Sequence, residues 1–108
     1  MIDGFWLVHA EGPGGTAGGV VVFASGKVFG GDSGFYYFGT YQERNGIVKA
    51  RVAVHNFDPA IVNILSLARD YELNVSATMK DDAMNGTAVV PGVPNQSIAL
   101  RLVKKANL

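Results

Sequence analysis

The chain has no cysteine, which excludes disulfides, thiolate-ligated zinc and thiol catalysis. It has no excess of either charge: nine basic and nine acidic residues cancel. Non-specific nucleic-acid binding rests on neutralising phosphates, so this balance argues against a direct nucleic-acid contact. Lysine and arginine gather only at Arg101, Lys104 and Lys105. No apolar run approaches the roughly 20 residues of a membrane-spanning helix, and the start, Met-Ile-Asp-Gly-Phe-Trp, has no basic stretch leading into an apolar one. The expectation is a cytoplasmic protein of bacterial type, with no membrane attachment. Histidine is scarce too. Without cysteine, a catalytic zinc would need both His9 and His55 plus a carboxylate, and neither has a second ligand at short fixed spacing. No metal or cofactor is expected.

The 108 residues show no shift in composition, so residues 1–108 read as one domain. Glycine is plentiful, at 14, without a period, and falls at turns and inside strand patterns, as sharply bent barrel strands require. The chain is organised around Phe29 to Tyr41, where a Gly-Gly-Asp-Ser-Gly corner enters a strand with aromatic residues on both faces. Alternation puts Phe35, Tyr37 and Tyr41 on one face and Tyr36 and Phe38 on the other. Such a strand must be covered twice, by its own core and by a second layer, a ligand or another copy of the chain.

Around it, further strands read from Asp3 to Ala10, Thr16 to Ala24 and Lys27 to Gly30. Asn45-Gly46 is the strongest hairpin signal, because a type I′ turn needs positive φ at both central residues. Ile47 to Asn56 alternates Val48, Ala50, Val52 and Val54 against polar residues. Asp58-Pro59 reads as a helix cap followed by proline at the first helical position, with a short helix over Pro59 to Ala68 or, alternatively, a loop across one barrel mouth. Strands follow at Tyr71 to Met79, at Ala83 to Val90 (weakened by Asn85-Gly86) and at Gln96 to Lys104, after a last loop over Pro91 to Asn95. Eight strands with short turns predict an all-β, up-and-down antiparallel barrel closed at one end by the helix or loop; a sandwich is the alternative.

Candidate chemistry is sparse. The run Gly12 to Gly19 lacks the Gly-Lys-Ser/Thr and helix start of a phosphate loop, and Val20-Val21-Val22 follow instead. Asp32, Asp58, Asp81 and Asp82 sit where turns and caps use aspartate for its side-chain hydrogen bonding. Ser33 has no His and Asp partnership in view. No enzyme is expected.

Gly30-Gly31-Asp32-Ser33, Phe35-Tyr36-Tyr37, Gly39-x-Tyr41, Val52-x-Val54-x-x-Phe57 and Leu100-Arg101-Leu102 together resemble the GrlR-like family, named for a member that negatively regulates type III secretion genes. The resemblance implies a dimeric, cytoplasmic, lipocalin-like barrel that binds and inhibits a transcriptional activator and is capable of enclosing an apolar ligand. Where the named member carries an acidic run after the aromatic strand, this chain has Gln42-Glu43-Arg44-Asn45. The leading expectation is therefore a regulatory interaction protein whose partner or dimer surface comprises Trp6, Tyr36 and Phe38, since aromatic residues dominate binding hot spots. The alternative is a small-molecule module with Phe5, Phe35, Tyr37 and Tyr71 inside, where Gly18, Gly39 and Ala50 would leave space. Of the two states of that interior, the favoured one is that the side chains fill it themselves.

Overall fold

The computed structural model describes residues 2–61 and 70–108. Eight strands form one closed antiparallel barrel: β1 (Gly4–Gly12), β2 (Gly15–Ala24), β3 (Lys27–Gly31), β4 (Phe35–Arg44), β5 (Ile47–Asn56), β6 (Tyr71–Lys80), β7 (Ala83–Val90) and β8 (Val93–Ala106). Each strand pairs with the next in sequence, and β1 closes the ring against β8. Closure leaves no strand edge unpaired, which is how a chain this rich in β-branched residues avoids edge-to-edge association.

The turns follow local chemistry. At Asn45 and Gly46 φ is +54° and +81°, and at Ser25 and Gly26 it is +49° and +85°, the left-handed pairs that match hairpin twist. Asn85-Gly86 does not interrupt β7. Gly86 lies mid-strand with its missing side chain facing Ser76 and Ala77 of β6, and a Cβ there would overlap the Ser76 carbonyl. Close approach of two backbones, not a turn, is what requires glycine. The expected loop at Pro91 to Asn95 shrinks to Pro91-Gly92, and β8 starts at Val93.

Among the described residues there is no helix. The helix read over Pro59 to Ala68 falls mostly on 62–69, outside the described residues. Its first residues form a turn in which Asp58 accepts from the Ala60 N–H through its side chain (3.0 Å) and from the Ile61 N–H through its carbonyl (3.0 Å).

The two ends of the barrel differ. One end is closed by a buried cluster of Ile2, Trp6, Phe23, Val28, Val48 and Met84. Trp6, Phe23 and Tyr41 meet edge to face at 5.8 and 5.2 Å. Asp3 seals that end by accepting the Tyr41 hydroxyl and the Ser25 N–H (3.1 Å).

Trp6 corrects the reading of β1. Expected outside, it is fully buried, and its indole N–H donates to the Ile2 carbonyl at 2.8 Å. Phe5, expected inside, points outward and is 36% exposed, beside Leu7. Every position from Phe5 to Val8 is apolar, so alternation defines two faces without choosing between them. The interior takes the larger ring because it offers the indole N–H a buried acceptor.

Candidate ligand-binding site

The other end of the barrel holds an apolar cavity of about 350 Å³. It exists because inward positions there are small or β-branched. Ala50, Val52 and Val54 on β5 lie beside Val75, Leu73 and Tyr71 on β6, and Val8 and Ala10 on β1 add to the wall. The sequence-favoured expectation that side chains fill this interior does not hold at this end. Of the small residues expected to make space, Gly18 and Ala50 line the cavity and Gly39 does not, because the Arg51 carbonyl of β5 presses against it.

The mouth is built by the Gly30 to Phe35 corner. Asp32 Oδ1 accepts the N–H groups of Gly34 and Phe35, both at 2.9 Å, and the Asp32 N–H donates to the Phe35 carbonyl at 2.9 Å. This bonded turn fixes the start of β4, so that Phe35 and Tyr37 face the interior. The turn is tied to the end of β5 by Asn56, whose amide donates to the Gly34 carbonyl (3.1 Å) and to the Asp58 carbonyl (3.0 Å). Ile61 stands over Gly34 at the rim. Tyr37 reaches across to β2, where a Cβ on Gly19 would collide with the Tyr37 hydroxyl and lie 3.5 Å from Asp32 Cβ. Tyr71 lines the same mouth from β6.

Asp32, Tyr37 and Tyr71 are the ionisable groups among the described residues lining the cavity. Burial raises the Tyr71 phenol to about 12, with the Asp32 charge adding to it. Burial, then Asp32 and Tyr71, raise Tyr37 as well. Both phenols therefore stay neutral near pH 7. They can donate or accept a hydrogen bond within walls that are otherwise hydrocarbon.

No family model and no curated protein matches this chain. What the site can do rests on its own geometry. Of the interior candidates, Phe35, Tyr37 and Tyr71 come together at the mouth, and Phe5 does not. Gly30 and Gly31 of β3 pair with Val21 and Val20 of β2, while Asp32 and Ser33 line the rim.

On the outside, the structure places Tyr36 and Phe38 at the surface, 46% and 45% exposed, without Trp6. They stack with His55 at 5.1 and 5.6 Å, and Phe57 lies 6.3 Å from Tyr36. Cross-strand register extends the face, running Phe5, Val22, Phe29 and Phe38 along one row and Leu7, Val20, Gly31 and Tyr36 along the next. The outer surface of β5 and β6 is polar instead, with Lys49, Arg51, Glu72 and Asn74 exposed. Sequence reasoning missed Phe29, His55 and Phe57 as parts of this face. The signal available was the pairing of β4 with β3 on one side and β5 on the other, which places outward positions side by side.

Proposed function

We propose that this chain is a non-enzymatic binding protein that takes a small, largely apolar molecule into the open end of its barrel. The observation that carries the reading is the cavity of about 350 Å³ at one end of an otherwise packed interior. An eight-stranded barrel is just wide enough to be filled by side chains or to hold one small ligand, and pockets of roughly 300–1,000 Å³ with few polar groups are typical ligand sites. Native mass spectrometry of protein purified from cells tests it, followed by exposure to a library of apolar compounds. A bound mass, or uptake with one-to-one stoichiometry, is expected. No bound mass and no uptake would sink the reading.

A second reading is favoured by the outer aromatic face and uses a different surface. Phe29, Tyr36, Phe38 and Phe57 leave a contiguous apolar area of the kind that marks an interface. With the resemblance to GrlR-like regulators, this supports a lipocalin-like cytoplasmic homodimer that controls a protein partner, such as a transcriptional activator. The face remains usable with the interior occupied, so a ligand and a partner can be bound together. Sedimentation velocity at tens of micromolar is expected to give a dimer that Tyr36→Ser/Phe38→Ser converts to monomer. A wild-type monomer would count against this second reading and leave the first standing.

A further inference from the structure

Among the described residues that line the cavity, Asp32 is the one charged group and none of the others balances it. Asp32 is half-buried at the mouth, and its Oδ1 is held by two backbone N–H groups. Among the described residues no ion pair or hydrogen bond engages Oδ2, and none of those that line the cavity is a lysine, arginine or histidine. A carboxylate taken partly out of water without a counter-charge is costly. A ligand that brings a positive charge relieves that cost, and one that brings a second negative charge adds to it. The rings of Phe35, Tyr37 and Tyr71 stand at the same mouth, and aromatic faces attract cations.

We propose that the cavity selects compact apolar amines, with the protonated nitrogen at the mouth against Asp32 among Phe35, Tyr37 and Tyr71, and the hydrocarbon body inside the barrel against the inner face of β5 and β6. This rests on the interior being the ligand site and adds the chemical class. A cavity of about 150 Å³ admits benzene, so about 350 Å³ suits a bicyclic body of about a dozen non-hydrogen atoms. Fatty acids, whose headgroup would meet Asp32, are disfavoured by the same geometry.

Isothermal titration of the full chain at pH 7 with three probes sharing one body tests this: 2-(1-naphthyl)ethylamine, 2-(1-naphthyl)ethanol and 1-naphthylacetate. The amine is expected to bind at least tenfold more tightly than the acetate, with the alcohol between. Asp32→Asn keeps an oxygen for the Gly34 and Phe35 N–H groups, and should bring the amine to within a fewfold of the alcohol while leaving the alcohol nearly unchanged. Equal affinities, tighter binding of the acetate, or an undiminished amine preference in Asp32→Asn would each overturn the amine selectivity while leaving the cavity as a ligand site. Binding of none of the three would overturn the interior reading and this inference with it. Should the variant fail to fold, the wild-type ratio of amine to acetate decides.

Discussion

Ala50→Leu and Ala88→Leu add the same three carbons to the barrel interior and are expected to change stability in opposite directions. Ala50 lines the cavity, in the cluster with Phe35, Val52 and Val54, so a leucine there grows into open space. Burying three carbons at about 0.8 kcal/mol each, less about 0.5–1 kcal/mol for fixing the leucine rotamer, leaves a gain of about 1.5 kcal/mol. Ala88 is 1% exposed, packs with Ala10 and Ile98, and does not line the cavity. Overpacking there should cost about 1–3 kcal/mol. At about 4–8 °C per kcal/mol for a domain near this size, Ala50→Leu should melt about 6–12 °C higher than wild type, and Ala88→Leu lower by a similar or larger margin. Thermal and urea unfolding followed by far-ultraviolet circular dichroism measure both. Ala50→Leu should also weaken uptake of every naphthyl probe, because it occupies their volume. If Ala50→Leu destabilises the fold as much as Ala88→Leu does, the interior near β5 is already full and the reasoning fails.

Trp6→Phe removes the 2.8 Å bond to the Ile2 carbonyl and leaves a void at the packed end, so urea unfolding should show a loss of about 1–3 kcal/mol with the circular-dichroism spectrum retained. Gly86→Ala forces a methyl against the Ser76 carbonyl and Ala77, and should cost about 1–3 kcal/mol by the same assay; an unchanged midpoint would mean that β6 and β7 are not so close. A phenol whose folded pKa lies above its unfolded value keeps its full contribution below the unfolded value and loses it as pH rises through the folded one. Tyr71, raised from 10.0 to about 12, should therefore make the urea midpoint fall between about pH 10 and 12, with Tyr37 and Tyr41 acting in the same direction. Tyr71→Phe should shallow that fall, and a decline complete below pH 10 would contradict the burial of these phenols.

The barrel was legible because its signals were local. Asn45-Gly46, Ser25-Gly26 and Pro91-Gly92 marked turns through backbone freedom, and β5 alternated so cleanly that Val48, Ala50, Val52 and Val54 could face only one way. The faces of β1 were not legible, because Phe5 and Leu7 are as apolar as Trp6 and Val8. Only the three-dimensional match between the indole N–H and the Ile2 carbonyl settles which set is inside. The cavity was the less favoured reading for a related reason. Local pattern reports that a position is inward, whereas whether inward side chains meet across a barrel depends on strand stagger and on which small residues share a level. Asp32 was read as a turn residue, and it is one, through Oδ1. Its place at the mouth beside Tyr37 and Tyr71 follows from Gly19, where the absence of a side chain lets the Tyr37 hydroxyl and Asp32 converge.

Methyl-resolved NMR of the full chain titrated with 2-(1-naphthyl)ethanol tests most directly whether the open end of the barrel is a ligand site. Saturable shifts at Val52, Leu73 and Ile98, with Leu7 and Val20 on the outer face unmoved and the effect lost in Ala50→Leu, are the expected result. Shifts confined to the outer face, or no saturable shifts, would contradict it.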